Sequence, residues 1–385
     1  MLLDRLQLTT FRTYREVELS FPRGPQVIVG PNATGKTNLL ESIVVLGTAR
    51  SHRAAQDGEL ISWGADFARI EAQVGGVPAD AGGDATLTVV VARTGAGGGR
   101  KKITVNGVAR RPQALAAALP VVLFAPEDML LIVGSPGLRR QTIDTLVVQT
   151  TPAAGATLAN YQRALTQRNN LLRAIRDGSA DPGELRFWDG VVIEDGAQIV
   201  DWRRATLAQL AGPLAAAHSE IAPAEEPLEL GYLTNAEPNM GESTHDALRR
   251  RLAETADKEQ WNGATLIGPH RDDLVFGAGG RDLAGFASRG QQRTAILALK
   301  LAQLELLERT SGRPPLLLLD DVFSELDPQR RAHLVRRIGE LPQAFVTTTS
   351  TDDLDPALVA AATVWRVSPG RLELVTSPAV IGSAR

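Results

Sequence analysis

The chain has 385 residues, a net charge of −3 and no cysteine. Disulfides, thiol catalysis and cysteine-ligated zinc or iron–sulfur centres are therefore excluded, and any nucleic-acid surface must be a local patch. The five histidines (His52, His218, His245, His270, His333) have no metal-ligand spacing, no apolar run approaches the ~20 residues of a membrane span, and the start Met1-Leu2-Leu3-Asp4-Arg5 lacks a signal peptide's apolar stretch; no membrane partner and a cytoplasmic location are expected.

The length allows two domains, or one domain with a large insertion. The opening segment reads as β-rich, with strands over Leu6 to Phe11, Val17 to Phe21 and Gln26 to Val29. The third strand runs into Gly30-Pro31-Asn32-Ala33-Thr34-Gly35-Lys36-Thr37, which fits G-x-x-x-x-G-K-[ST]. Apolar residues at helical spacing follow and predict a helix over 37–47. Strand, glycine-rich loop and helix together make a credible phosphate site. The glycines let backbone N–H groups turn toward a polyanion, and the helix start adds the positive end of its dipole. Lys36 would reach the β- and γ-phosphates of ATP, and the Thr37 hydroxyl would ligate Mg²⁺. Strands at 68–75 and 86–93 come next. A turn over Gly95 to Gly99 leads to Lys102-Ile103-Thr104-Val105 and then Asn106-Gly107, a strong hairpin signal.

From about Pro136 to Trp261 the pattern is mainly helical. The piece 155–177 carries a nearly one-sided apolar stripe, and 184–222 continues in the same way, with Gly and Pro interruptions near 212–213. Arginines are frequent here (among them Arg139, Arg168 and Arg203), and solvated helix faces are the simplest account of them. The stretch 223–228 reads as a surface loop. There is no internal repeat and no long heptad array.

Strands and helices alternate again in the last third. Ser288-Arg289-Gly290-Gln291 stands just before a helix over 290–309, where Ser288 can cap the helix and leave its first N–H groups open to an anion. The buried-looking run Leu316 to Leu319 ends in Asp320-Asp321, at the strand end where open α/β sheets bind ligands. Asp320 would hold Mg²⁺, and Asp321 would orient or deprotonate the attacking water. Because side chains alternate along a strand, the two carboxylates are expected to divide roles. Ser324-Glu325-Leu326-Asp327-Pro328 is a polar turn into a helix over 328–339, and Ala344 to Thr349 is the next strand.

These parts in this order resemble the ABC-type ATPases, and more closely the RecF family of recombinational-repair ATPases, related to SMC heads. The resemblance runs nearly end to end. It includes Leu8-Thr9-Thr10-Phe11-Arg12-Thr13-Tyr14, Leu123-Phe124-Ala125-Pro126-Glu127-Asp128, Gly134-Ser135-Pro136 with Arg139-Arg140, Gln167 to Leu172, Gly268-Pro269-His270-Arg271-Asp272-Asp273 and Asp320 to Asp327. It implies an α/β fold: an ABC-type ATPase head of the P-loop NTPase class, with mixed sheets and helices, over 1–135 and 262–385, and an inserted, mainly helical arm over 136–261. It implies ATP and Mg²⁺ as cofactors and a weak DNA-stimulated ATPase. Gly30 to Thr37 would bind the phosphates and Arg12 would touch the nucleotide. Ser288, Arg289, Gly290 and Gln291 would reach the γ-phosphate of a second copy, with Asp327 in the adjoining D-loop. An ATP-dependent homodimer on duplex DNA or single-/double-strand junctions is expected, with RecO and RecR as partners in loading RecA and in SOS induction. Aromatics are few, so stacking on bases is expected to be a minor term. An ABC transporter subunit is disfavoured by the gap of about 250 residues between phosphate loop and signature and by Thr347-Thr348-Thr349 where such subunits carry a histidine. A non-hydrolysing scaffold is opposed by the intact Lys36, Thr37, Asp320 and Asp321.

Overall fold

A computed structural model describes residues 1–76, 83–95 and 98–377. By compactness the chain forms two units. The first comprises Met1–Asp128, Glu220–Pro223 and Arg293–Arg385, and the second Met129–Ser219 and Ala224–Gln292.

The first unit is built on two six-stranded sheets. In chain order its strands are β1 (Leu2–Phe11), β2 (Tyr14–Ser20), β3 (Gly24–Val29), β4 (Phe67–Gly75), β5 (Asp84–Arg93), β6 (Gly99–Val105), β7 (Val108–Ala109) and β8 (Val121–Phe124). Asn106 and Gly107 both take positive φ between β6 and β7, as the Asn-Gly signal predicts. One sheet is antiparallel, in the order β2-β1-β4-β5-β6-β7. Its strands alternate cleanly: Ala68, Ile70, Ala72 and Val74 of β4 are buried, as are Ala85, Leu87, Val89 and Val91 of β5. One face therefore joins the core and the other meets water.

The second unit's strands are β9 (Leu228–Leu233), β10 (Asp273–Ala278) and β11 (Arg281–Asp282), in the order β11-β10-β9. The chain then returns to the first unit with β12 (Leu316–Asp320), β13 (Gln343–Thr348), β14 (Thr363–Ser368) and β15 (Arg371–Thr376). These complete the second six-stranded sheet, β15-β14-β3-β13-β12-β8, parallel except for β15. Every residue of β12 and β13 is buried, as a sheet covered on both faces requires. The helix Lys36–Thr48 touches β4 and β5 on one side and β8, β12 and β13 on the other. Its Leu39, Leu40, Ile43 and Leu46 sit in one core with Leu6, Leu8, Leu316 and Phe345. Gly47 lets it come this close: a Cβ there would lie 2.6 Å from the Leu119 carbonyl and 2.8 Å from Val121.

The second unit is largely helical, with helices Pro136–Thr150, Ala154–Arg176, Leu185–Ile221, Thr244–Glu254 and Ala256–Asn262. The break expected near 212–213 does not occur. The helix runs 37 residues through Pro213, whose neighbours Leu210 and Leu214 are buried; packing outweighs the lost backbone bond. The stretch expected to be helical also contains β9, paired antiparallel with β10.

Three of the arginines expected on solvated faces are interior. Arg168 meets Asp189 and Glu259, each at 2.7 Å. Arg203 grips both oxygens of Asp144 and donates to the Pro269 carbonyl. Arg139 grips both oxygens of Asp273. Around them the Gly268-to-Asp273 segment is tied in: the Tyr161 hydroxyl meets His270 Nδ1 at 2.7 Å, and the Tyr232 hydroxyl donates to Asp272 at 2.6 Å.

Candidate nucleotide site

The phosphate loop links the end of β3 to the helix Lys36–Thr48. Gly35 is its pivot. Its φ of +112° is open to glycine, and a Cβ there would meet Thr13 Oγ1 at 2.9 Å and the Tyr14 hydroxyl at 3.0 Å. That hydroxyl donates to the Gly35 carbonyl, so the start of β2 props the loop from beneath. Thr34 Oγ1 donates to the Pro31 carbonyl. The first N–H inside the helix to find an intrahelical acceptor is that of Leu39, on Gly35; those before it are the free donors of a helix start.

Lys36 is buried and donates to the carbonyls of Gly30, at 2.6 Å, and Pro31, at 3.0 Å. Burial lowers its pKa, against the pull of Asp321 and Asp320. A cavity of about 300 Å³ opens here. Asn32, Ala33, Gly35, Lys36, Thr37 and Asn38 line one side, and Asp320, Asp321, Glu127 and Arg53 face them. Gly30, Pro31 and Thr34 support it from behind through the bonds just described.

Asp320 is the last residue of β12 and only 6% exposed. Its register partner on β13 is Thr347, whose hydroxyl donates to Asp320 Oδ1 at 2.6 Å and accepts the Asp321 N–H at 3.0 Å. One hydroxyl thus fixes both acidic residues. Strand alternation does not separate them. Asp321 leaves the strand in a left-handed conformation, φ 53° and ψ 29°, and reaches the cavity through that turn. Such a conformation is uncommon for a residue with a Cβ and concentrates at functional sites.

The other expected residues lie elsewhere. Arg12, itself at φ 52°, is not in the cavity wall. It makes a bidentate pair with the fully buried Glu41, at 2.8 and 2.7 Å, and donates to the Glu59 carbonyl. Burial pushes the Glu41 carboxyl up, but hydrogen bonds from Arg12 and Ser51 outweigh this and hold it below its ordinary value. Arg53 lines the cavity, on a turn whose N–H groups at Arg53 and Ala54 donate to Ser51 Oγ. Ser288 and Gln291 form a reciprocal cap on the helix Arg289–Ser311: Ser288 N–H donates to Gln291 Oε1 at 2.9 Å, and Gln291 N–H to Ser288 Oγ at 3.3 Å. Ser288 and Arg289 are exposed, and Gly290 and Gln291 partly so. Asp327 caps the helix Pro328–Glu340 through the Arg330 N–H and pairs with the Arg330 side chain.

Sequence reasoning missed the positions of Arg53, Glu127 and Asn38. Only Glu127 carried a signal, in the Leu123-to-Asp128 block. Asp128 accepts the Ala125 N–H and pairs with Lys300 at 2.7 Å, which pins the turn presenting Glu127.

A Thr hydroxyl, a carboxylate and no cluster of three or more ligating side chains among the described residues suit a magnesium ion that draws its remaining ligands from phosphate and water. Lys36 and the helix start suit the phosphates themselves.

The RecF/RecN/SMC N terminal domain family matches residues 2–368. A relative from Halalkalibacterium halodurans, named DNA replication and repair protein RecF, is 39% identical over 97% of this chain and 99% of its own length. The Bacillus subtilis protein of the same name is 38% identical over 97% and 100%. Among solved structures, the recombination mediator protein RecF-ATP in the RecFOR pathway superposes with a TM-score of 0.86 at 30% identity, covering 97% of each chain. An SMC head bound to a winged-helix domain of ScpA gives 0.54 at 16% identity, a likeness of fold.

Proposed function

From the premise that this chain belongs to the RecF family, we propose that it is an ATP-switched DNA-binding protein of recombinational repair and replication, working in the cytoplasm as a homodimer. Its relatives carry the name DNA replication and repair protein RecF, and a close structural neighbour is described with ATP in the RecFOR pathway. The observation that carries the reading is the convergence of Lys36, Thr37, Asp320 and Asp321 on one cavity.

Lys36 gives up the Gly30 and Pro31 carbonyls for the β- and γ-phosphates. Thr37 and Asp320 would hold Mg²⁺, which would offset phosphate charge. Asp321, aimed by Thr347, orients the attacking water. The exposed helix start at Ser288 to Gln291 meets the γ-phosphate of a second copy by giving up its reciprocal cap, with Asp327 near that contact. Hydrolysis removes contacts made only in the closed dimer and shifts the balance toward opening. Turnover is slow and DNA-stimulated. The working division is a head of 1–135 with 262–385 and an arm of 136–261; compactness alone groups 129–135 and 262–292 with the arm. RecO and RecR are the partners expected at single-/double-strand junctions.

The test is size-exclusion chromatography with light scattering, with and without ATP and a gapped duplex. ATP should move the protein from monomer to dimer, and the duplex should coelute with the dimer. Lys36→Ala should stay monomeric. A wild type indifferent to ATP would refute the proposal.

A further inference from the structure

We propose that the solvent-facing side of the antiparallel sheet, at the end carrying Trp63 and Phe67, takes unpaired bases beside a duplex. The two rings stack on bases while Arg100 and Lys102 hold phosphates. This rests on the DNA-binding role above and gives it a place and a ligand class.

The pairing register puts these residues in neighbouring rows on one face. Phe67 of β4 stands opposite Ala92 of β5, and Ala92 opposite Arg100 of β6. The next row is Arg69, Val90 and Lys102 in the same strands. In the intervening row Ala68 and Val91 are buried on the opposite face, and Lys101, paired with Val91, is half-buried and donates to the Ala49 carbonyl, so both rows point to water. Phe67 and Arg100 are two strand spacings apart, roughly 9.5 Å. Only the Ala92 methyl lies between them, which leaves a shallow trough with a ring on one wall and a guanidinium on the other.

Trp63 lies in the turn that leads into β4, four residues before Phe67. It is fully exposed, and Phe67 is 43% exposed. The turn bearing Trp63 is braced rather than loose. Ala65 N–H donates to the Ser62 carbonyl, Ser62 Oγ donates to the Arg12 carbonyl, and Arg93 Nε donates to the Ala65 carbonyl. A lone exposed ring would need no explanation. Two rings at one end of a sheet, beside cations, are the composition of a single-strand platform.

The charges select a polyanion. Arg100 and Lys102 have no ion-pair or hydrogen-bond partner among the described residues, whereas Arg69 is neutralised by Glu71 on the same strand. Just past the β6–β7 pairs, Arg110 N–H donates to the Ile103 carbonyl, and the next residue, Arg111, is exposed. Across the sheet, β2 presents the exposed Glu16. Cations at one edge and acid at the other orient a nucleic acid along β6. Stacking requires open base faces, which an intact duplex hides and a junction supplies.

The experiment uses the full chain with a non-hydrolysable ATP analogue. Fluorescence anisotropy compares a duplex bearing a single-stranded overhang with the same duplex blunt-ended, across a salt series. The double variant W63A/F67A should bind the overhang substrate about tenfold more weakly and the blunt duplex within about twofold of wild type. The double variant R100E/K102E should weaken both and lower the slope of log affinity against log salt by roughly 2. All four side chains are exposed, and unchanged melting temperature and ATP binding would certify the fold. Wild-type affinity of W63A/F67A for the overhang, or equal loss on both substrates, would overturn the stacking assignment. An unaltered salt slope in R100E/K102E would overturn the phosphate contacts. Loss of binding to a partner protein with DNA binding intact would reassign the surface and overturn the proposal. Failure of the wild type to bind any DNA would instead sink the DNA-binding role on which it rests.

Discussion

At the scale of single residues, the proposed hydrolysis depends on how Asp321 is aimed. It sits in a left-handed turn and donates its N–H to the Thr347 hydroxyl, which also holds Asp320. Asp321→Asn keeps the shape and removes the charge proposed to polarise water. ATP binding should persist while the hydrolysis rate falls about 10²-fold or more; single-turnover kinetics with labelled ATP would measure both. His270 supplies a second prediction. Its neutral ring accepts from the Tyr161 hydroxyl at Nδ1 and faces the Thr265 carbonyl with Nε2. Burial pulls its pKa from 6.5 down to about 4. With the folded value depressed, the unfolded chain takes up the proton first as pH falls. The stability this site contributes is complete above about pH 6.5, declines as pH drops and is gone near pH 4. The loss is about 3 kcal/mol. Melting temperatures measured from pH 7 to pH 4.5 should fall more steeply for wild type than for His270→Gln.

At the scale of elements, legibility followed the range of the forces involved. The phosphate loop was readable because its requirements are local: glycine at Gly35, lysine and threonine at a helix start. The β6–β7 hairpin was readable because Asn106 and Gly107 tolerate positive φ. Strands β9 and β10 were missed because each is six residues long and stable only through the other. The interior arginines were missed because their partners are far along the chain. Arg203 reaches Asp144 across 59 residues, and nothing near Arg203 marks it as buried. The helix Leu185–Ile221 defeated a local rule at Pro213 because its buried leucines supply what the backbone lacks. Gly190 in the same helix is exposed, and a Cβ added there would meet nothing within 4 Å. Gly190→Ala should therefore stabilise the protein by about 0.5–1 kcal/mol through helix propensity, seen as a higher melting temperature with unchanged ATP binding.

At the scale of the whole molecule, the proposed dimer has two composite sites, each using the phosphate loop of one copy and the Ser288 helix of the other. Ser288→Arg places a bulky cation at that helix start, far from its own phosphate loop in sequence. It should bind ATP normally and remain monomeric in sedimentation velocity. Mixing gives a sharper outcome. Lys36→Ala and Ser288→Arg should each be inactive alone, but a mixed dimer would contain one site with both halves intact. Equimolar mixing should restore part of the ATPase activity, and a mixture as inactive as its components would contradict shared sites.

The interior pairs of Arg139, Arg168 and Arg203 bear on how such experiments can be run. The three guanidinium groups lie almost wholly out of water while Asp273, Asp189 and Asp144 are partly exposed; such partly buried pairs are screened far less than surface ones, so raising ionic strength should weaken them little. Rinsing away bound polynucleotide with concentrated electrolyte should consequently return an undamaged helical unit, ready for reuse once the electrolyte is diluted.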